Sequence, residues 1–393
     1  MKKFILSCIV LGVFLAASVQ AISLTDYKFP ESTSQEAYLN GAFNLGGDSN
    51  EETEVGYDFR GSSSYRLDYR SLPFSYNLDI LGDFNVEKDR SKDAESQDSY
   101  QLSATTTADK YFSNESSLFG YGSLFFDYQK PFGADDALDP YIQIGAGIGY
   151  GRTINATVLK QAIRMNNDFK KYNVITGDMP DASLLELAAI IDKESEYRSR
   201  YGGVEYRKYW YEDMEEVVAK SGVMAGDNLG AIGIVRIQEV LDEPTAQRYH
   251  GWNVRAGIGV VLQDYAGEQG DPLLEASYNW TRPLSLALQL TNTLSLQTVF
   301  QDDQVYNIEN RFRADYEISN RIDWYNIATI GYDLQTADDV EDVLRISLNS
   351  TYIFYIENQL SFNPEFQFNY LDNGVDDAFS EWALLGSISY RLR

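Results

Sequence analysis

Residue types that perform acid–base and nucleophilic catalysis are scarce in this chain of 393 residues. It contains one histidine, His250, and one cysteine, Cys8. Hydrolysis of esters and peptides near neutral pH most often depends on a positioned histidine. His250 stands alone beside Gly251 at the start of an amphipathic run, where a structural or solvated role is favoured over catalysis. The sequence therefore predicts that the protein is not an enzyme, and no cofactor is expected.

Paired carboxylates are a second source of chemistry, because divalent cations prefer oxygen ligands. Each pair lies in an acidic connection between predicted strands, where solvation of a loop explains the pattern equally simply and is the favoured interpretation. Whether the chain binds a metal ion is left open by the sequence. The pairs are Asp135-Asp136, Asp302-Asp303, Asp338-Asp339 and Asp376-Asp377.

The overall charge narrows the function classes. The chain has 32 Lys and Arg against 59 Asp and Glu, a formal charge of -27. Proteins that grip nucleic acid neutralise phosphates with a basic surface, so a nucleic-acid partner is not expected. Tyrosine, phenylalanine and glycine are abundant, which argues against a disordered acidic chain.

Residues 1–21 have the pattern of a cleaved secretory signal peptide. Lys2 and Lys3 precede an apolar stretch from residue 4 to residue 17, and small residues stand one and three positions before a cut after Ala21. The only cysteine lies inside this segment. After Ala21 no stretch approaches 18 consecutive apolar residues, which argues against a helical membrane protein but not against a barrel, whose strands alternate.

The dominant periodicity of the mature chain is two. Leu284, Leu286, Leu288 and Leu290 share one face of a run whose other face carries polar side chains such as Gln289. About fourteen such strands are predicted, each long enough to cross a bilayer at a tilt. They lie near residues 36–47, 54–70, 74–87, 98–112, 117–130, 140–152, 250–264, 273–281, 284–300, 304–318, 322–334, 342–355, 359–370 and 380–393.

The connections between these strands alternate in kind. Short turns at residues 71–73, 113–116, 281–283, 319–321 and 356–358 alternate with mostly longer acidic loops. Aromatic residues also mark both strand ends. One predicted girdle beside the short turns comprises Phe74, Phe112, Trp252, Trp280, Tyr316, Trp324, Phe354 and Tyr390; the other, beside the acidic loops, comprises Tyr57, Tyr100, Tyr128, Tyr141, Phe300, Tyr306, Tyr332, Tyr370 and Trp382. A soluble β-sandwich or soluble barrel requires none of these features together.

In these features the sequence resembles the bacterial outer-membrane β-barrel proteins, with porin-like strands over about three quarters of the mature chain. The last strand keeps the alternation at Trp382, Leu384, Ile388 and Tyr390, but it ends in Arg393 where the class commonly has an aromatic residue. The resemblance implies an all-β transmembrane antiparallel barrel in the cell outer membrane of a Gram-negative (diderm) bacterium. Outer-membrane lipid and the barrel-insertion machinery would then be its partners.

The predicted inner face of this barrel is polar and carries both signs of charge. A mixed row could form a constriction that selects small polar solutes, or its members could pair into a ladder that closes the lumen. Gly145, Gly147, Gly149 and Gly151 share one face of the sixth strand and are expected to leave room for a bulky group, for example from the insert. The candidate lumen-lining residues are Arg66, Asp68, Arg70, Asp79, Arg255, Glu309, Arg311, Arg313, Asp315, Arg345 and Glu365.

A helical insert is predicted at residues 153–249, between a first barrel half at 22–152 and a second at 250–393. The period changes there to helical spacing, and strand parity places the insert on the short-turn, periplasmic side. A segment of this insert combines aromatic and basic residues, which suits either a docking face or an ordinary amphipathic core. The candidate docking residues are Tyr197, Arg200, Tyr201, Arg207, Tyr209 and Trp210.

Two functions fit these features. The first is a porin-like channel for ions or small hydrophilic solutes, gated or partly plugged by the periplasmic insert. The second is a non-conducting barrel that anchors an envelope assembly through its insert, with a periplasmic protein or peptidoglycan as partner. The sequence alone leaves both open.

Overall fold

The structure is a computed structural model that describes residues 22–28, 32–46, 55–92, 94–244, 246–301, 303–337, 340–375 and 377–391. The predicted signal peptide at residues 1–21 lies outside the described residues, as do Asp302, Asp338, Asp339 and Asp376. Within the described part of the chain, no helix has both the length and the apolar content needed to cross a membrane.

Fourteen antiparallel strands form one closed barrel, which confirms the predicted fold class and strand number. Consecutive strands are neighbours throughout, and the first strand pairs with the last. The strands are β1 Ser32–Gly46, β2 Gly56–Arg70, β3 Phe74–Lys88, β4 Gln97–Tyr111, β5 Leu118–Lys130, β6 Tyr141–Asn155, β7 Tyr249–Gln263, β8 Pro272–Pro283, β9 Leu288–Val299, β10 Val305–Ser319, β11 Ile322–Gln335, β12 Val343–Tyr355, β13 Leu360–Asp372 and β14 Phe379–Arg391.

The two faces of the closed sheet differ in chemistry because successive side chains of a strand point to opposite sides. Every strand exposes at least one large apolar side chain on the outer face, for example Leu39, Ile148, Ile258, Phe312 and Leu384. The inner face carries the polar residues described below. The two ends of the barrel also differ. The insert end has the short turns, and the loop end has the long acidic connections.

The seam that closes the barrel is its shortest. β1 pairs with β2 over its whole length, from Ser32 to Gly46. Between β1 and β14, the registered pairs run only from Tyr38–Arg391 to Gly41–Ile388. Beyond Gly41 and Ile388, toward the loop end, the described residues of β1 and β14 form no registered pairs with each other.

The ninth strand begins later than predicted. Residues 284–287 form a turn in which the Leu284 amide donates to the Leu288 carbonyl at 2.8 Å and the Ala287 amide donates to Ser285 Oγ at 3.2 Å. Leu286, which the alternation assigned to the strand, packs instead against the core of the insert. The apolar alternation continues into this turn by coincidence. Leu286 is apolar because it packs against the insert, not because it belongs to the strand.

Two predictions about the sixth strand are corrected by its neighbours. Tyr141 does not belong to an outer girdle: it lies on the same face as the lumen-lining Thr153, and its ring lies 5.2 Å from that of Tyr265. The bulky groups that the glycine row accommodates come from the adjacent strand. A Cβ on Gly149 would lie 2.2 Å from the Phe119 ring, and one on Gly147 would lie 2.7 Å from the Tyr121 ring.

The insert between β6 and β7 has four helices: α1 Thr157–Lys171, α2 Asp181–Ile191, α3 Glu194–Lys220 and α4 Gly230–Asp242. Gly202 interrupts α3 with a positive φ of 79°, a conformation that suits glycine. The insert has its own apolar core, in which Leu159, Phe169, Leu187 and Met214 are completely buried.

The first described residues belong to this core rather than to the barrel half at 22–152 in which the sequence placed them. Ile22, Leu24 and Tyr27 are buried among the insert side chains. Ser23 and Asp26 form a capping box around the short 3₁₀ turn Leu24–Asp26. The sequence shows that these residues are apolar but gives no sign of a partner more than 100 residues away.

The closing seam yields a testable register. Because Asn40 and Ser389 are directly paired, the double substitution Asn40→Cys/Ser389→Cys should form a disulfide on oxidation. The matched control Ala42→Cys/Ser387→Cys lies two residues further toward the loop end, where no registered pair joins the strands, and should cross-link at most weakly. Mobility on non-reducing gels measures both. Equal cross-linking of the two pairs, or of neither, would contradict this seam.

Candidate functional site

A cavity of about 780 Å³ occupies the centre of the lumen. Its wall is built from the inward side chains of most strands and from residues just before β7. Of the eleven residues predicted to line the lumen, the structure places seven on this central cavity: Arg66, Asp68, Arg70, Asp79, Arg255, Arg313 and Asp315.

The other four predicted residues lie on the same inner face, nearer the loop end. Glu309 lines a separate cavity of about 300 Å³. The Arg345 guanidinium pairs with Asp333 at 2.5 Å, and Glu365 accepts a hydrogen bond from Gln367 at 2.7 Å. Arg311 is exposed on β10 between Glu309 and Arg313, with which it shares a face.

The charged side chains pair along the wall instead of across the cavity. Arg70 pairs with Asp68 and Arg313 with Asp315, each two residues apart on one strand. Arg66 on β2 pairs with Asp79 on the adjacent β3, and Arg255 on β7 pairs with Asp109 on β4, over the two strands β5 and β6 that lie between them. The four N–O distances are 3.0, 2.6, 2.6 and 2.7 Å, respectively. Within each pair the two charges neutralise each other, and the paired side chains leave the cavity open.

The described residues that line the central cavity carry no net formal charge. Its lining contains five arginines, at 66, 70, 255, 313 and 391, and five acids, at 36, 68, 79, 109 and 315. Sequence reasoning missed Glu36, Asp109 and Arg391. The period-two pattern of β1, β4 and β14 already assigns these three to the inner face, so a strict parity count of every strand would have found them.

Two further cavities adjoin the central one along β1. Toward the loop end, a cavity of about 710 Å³ shares Asn40 with the central cavity. Toward the insert end, a cleft of about 1220 Å³ lies between the insert and the barrel rim. Glu36, Gln247 and Arg391 line both this cleft and the central cavity. We call these three residues the portal.

Hydrogen bonds hold the portal in place. Gln247 Nε2 donates to Glu36 Oε1 at 3.0 Å, and Arg391 Nη2 donates to the Asp242 carbonyl at 3.1 Å. The Tyr249 hydroxyl donates to Asp68 Oδ2 at 3.0 Å and contacts Gln247 Oε1 at 2.5 Å. The portal is thus formed jointly by the barrel and the end of the insert.

Buried ionic contacts attach the insert to the barrel. Arg248 is completely buried and donates to the carbonyls of Leu286 and Ala287 at 3.0 and 2.9 Å. On β10, Glu317 accepts hydrogen bonds from Lys160 and, at 3.1 Å, from Arg164. Breaking such a buried pair by removing one partner typically costs about 3–5 kcal/mol.

The environment of Lys160 makes this attachment sensitive to pH. Lys160 is only 3% exposed. Burial and the neighbouring Arg248 lower the pKa of its ammonium group to about 8, against the opposing effect of Glu317. In an insert detached from the barrel, this group would return to water and to its ordinary pKa near 10.5.

The single histidine has a structural contact. His250 Nε2 donates to the Tyr27 carbonyl at 2.9 Å and so links the start of β7 to the first described segment. Among the described residues, no group of three or more His, Cys, Asp or Glu side chains is arranged to hold a metal ion.

The structure places the six candidate docking residues in three different environments. Trp210 is a correction: it is 3% exposed and donates through Nε1 to the Ile190 carbonyl at 2.7 Å, so it belongs to the insert core. Arg207 is exposed but pairs with Asp242 at 3.0 Å beside the cleft. The remaining four residues lie together at the insert surface, where Tyr197 and Tyr201 also pack partly against the insert core: Tyr197, Arg200, Tyr201 and Tyr209.

The lowered pKa of Lys160 predicts that docking of the insert strengthens as pH rises. Between about pH 8 and pH 10.5 the detached form binds more protons than the docked form, so raising the pH favours the docked form. From about pH 7.5 to pH 9.5 the gain is on the order of 2 kcal/mol. A cysteine at position 286 (Leu286→Cys) lies against the insert core in the docked form, so its labelling rate, relative to exposed Gln238→Cys, should fall about tenfold or more over this range.

The variant Lys160→Met supplies the control for this experiment, since it removes the titrating group while keeping the length of the side chain. The relative labelling rate should then be nearly independent of pH. The same pH dependence in both backgrounds would show that Lys160 is not its cause.

Comparisons with known proteins identify no narrower family. No family model and no curated protein matches the chain. Among solved structures, it is similar to OccAB1 of Acinetobacter baumannii (7% identity, covering 92% of this chain and 97% of that one, TM-score 0.34). It is also similar to a BenF-like porin of Pseudomonas fluorescens Pf-5 (11% identity, covering 93% of this chain and 100% of that one, TM-score 0.31). A third similar structure is a bacterial polysaccharide outer membrane secretin (7% identity, covering 91% of this chain and 98% of that one, TM-score 0.34). The barrel architecture rests on the strand pairing of this chain itself.

Proposed function

We propose that this protein is an outer-membrane channel for ions or small hydrophilic solutes, with its periplasmic insert narrowing the exit. One observation carries the proposal: three cavities adjoin along β1, from the loop end to the cleft beside the insert. Consecutive cavities share wall residues, namely Asn40 on one side and the portal on the other.

The two faces of the barrel support a membrane location. A closed sheet satisfies its backbone hydrogen bonds internally, which is the requirement for crossing hydrocarbon with strands, and this sheet meets it except along the loop-end part of the seam between β1 and β14. The outer face exposes large apolar side chains on all fourteen strands, far more than a water-soluble surface commonly shows. Short turns mark the periplasmic end of such barrels, so the insert would lie in the periplasm.

The insert restricts this path without filling it. The residues that precede β7 form part of the wall of the central cavity, among them Ala246 and Gln247. The ionic contacts of Glu317 hold the insert beside the cleft, and the portal remains the narrow connection. We infer that displacement of the insert, or a change of side chain at the portal, sets the conductance.

Substitution of Gln247 tests the path at its narrowest point. Gln247→Ala removes the side chain that contacts Glu36 and Tyr249, so single-channel conductance in a planar bilayer should rise by about half or more. Gln247→Trp should lower it by at least a similar factor, because a pore conducts in proportion to its open cross-section.

Gln238→Ala serves as the matched control, because Gln238 is an exposed residue on α4 away from every cavity described. It should conduct like the unmodified protein. The channel proposal is contradicted if the folded unmodified protein and its three variants all show no conductance. The claim that the portal is the narrowest point is contradicted if all four proteins conduct alike.

A second function, anchoring of an envelope component, is favoured by the surface group on α3. The Tyr201 and Tyr209 rings stack at 4.0 Å with an interplanar angle of 18°, and Tyr197 extends the stack. The Arg200 guanidinium lies 5.3 Å from the Tyr201 ring. Stacked aromatic rings beside a cation suit the sugar faces and carboxylates of peptidoglycan.

Co-sedimentation with purified peptidoglycan tests this second function. Tyr201→Ala and Arg200→Ala should each weaken binding of the full chain about fivefold, as expected for loss of about 1 kcal/mol. Tyr172→Ala is the control, since Tyr172 is an exposed tyrosine elsewhere on the insert with Arg236 over its ring. An equal effect of all three substitutions, or no binding by the unmodified chain, would remove peptidoglycan as the partner.

A further inference from the structure

We propose that the central cavity holds a binding site for a neutral polyhydroxylated solute, a sugar or polyol. The site comprises Asp109, Asn253, Arg255 and Asn279, which we call the polar shelf. This inference rests on the proposed channel function and names the class of solute that the channel would carry.

The residues of the polar shelf adjoin one another. Asn253 and Arg255 are two positions apart on β7 and both line the central cavity. Asn279 on β8 is directly opposite Asn253 in the strand register. Asp109 reaches the group from β4, because its Oδ2 accepts a hydrogen bond from Arg255 Nη2 at 2.7 Å.

The polar shelf has unused hydrogen-bonding capacity. Asp109 and Asn253 are more than nine-tenths buried, yet Asp109 Oδ1 and Asn253 Oδ1 have no partner within the protein. The same holds for Asn279 Oδ1 and Arg255 Nε. Buried polar atoms are normally satisfied, and a group left without a partner costs about 1–3 kcal/mol. A cluster of four such atoms on one cavity wall indicates a ligand or the water that it displaces.

The balance of charge selects the class of ligand. Asp109 and Arg255 neutralise each other, and the described residues that line the cavity carry five charges of each sign. An ion entering this cavity would therefore lose hydration without a compensating net attraction. Hydroxyl groups suit the site better, because each can donate to the carboxylate or amide oxygens and accept from Arg255 Nε.

Aromatic rings complete the surroundings of the polar shelf. Tyr111, only 6% exposed, lines the cavity, with its ring 5.1 Å from that of Phe119. The Arg255 guanidinium lies 5.5 Å from the Phe119 ring and is fixed by this contact and by Asp109. The cavity volume of about 780 Å³ falls within the range of about 300–1,000 Å³ typical of small-molecule sites.

Three solutes of one size test the inference: glucose, the cation glucosamine and the anion gluconate. Full-length protein in liposomes should admit glucose faster than either charged analogue, and its reversal potential in a KCl gradient should stay close to zero. Glucose should also reduce the ion current in planar bilayers by occupying the cavity. Asn253→Leu and Asn279→Leu should each weaken this block about fivefold, as expected for loss of one hydrogen bond.

Asn307→Leu is the matched control, because Asn307 is an exposed asparagine that lines the separate cavity near the loop end. It should leave the block by glucose unchanged. Asp109→Asn leaves Arg255 without its counter-charge and should shift the reversal potential toward anion selectivity. Heat-modifiable mobility on gels confirms that each variant is folded before it is compared.

The outcomes separate the two proposals. If folded protein conducts no ion and admits no solute, the channel itself is overturned. If it conducts but prefers a charged analogue, or if glucose block is insensitive to Asn253→Leu and Asn279→Leu, the channel stands and the polar shelf is overturned.

Discussion

Closure of the sheet is the constraint on which the rest of the structure depends. A strand edge in hydrocarbon leaves amide and carbonyl groups without partners, each at a cost of several kcal/mol, and only a closed barrel removes both edges. Once β1 pairs with β14, every strand must present one set of alternate side chains to the lumen and the other to the outside. The polar interior, the apolar exterior and the position of the insert at one rim all follow from this geometry.

Inside the barrel, pairing of charges at short range decides what the lumen can do. Arg66, Arg70 and Arg313 each form an ion pair with an aspartate at a neighbouring position on the wall. None of these side chains therefore has to cross the cavity. The same constraint acts at the rim, where Glu317 meets the cationic groups of the insert. A lumen with paired walls and a docked insert combines an open centre with a narrow exit, which suits passage of small solutes under restriction.

The sequence predicted the barrel well because period two and the alternation of turn lengths are local properties. It predicted the inner face of β2 and β10 for the same reason, since Arg66 and Arg313 need only the parity of their own strand. It failed where the cause lies far along the chain. Leu286 looked like a strand residue and is a contact of the insert, Ile22 and Leu24 complete a core built more than 100 residues later, and Trp210 is buried by helices whose packing no periodicity describes. The sequence also did not predict the polar shelf, because Asp109 on β4 and Arg255 on β7 meet over two intervening strands, a contact that the parity of a single strand does not show.

The central claim is that one water-filled path runs along β1 from the loop end, through the central cavity and the portal, to the cleft beside the insert. A single cysteine in the central cavity tests it most directly. Ser64→Cys places a thiol on the wall of that cavity, in a mature chain that the sequence predicts to lack cysteine. The account predicts that a membrane-impermeant thiol reagent added to either side of a planar bilayer lowers the conductance of this variant. Modification from one side only, or from neither, would contradict a continuous path.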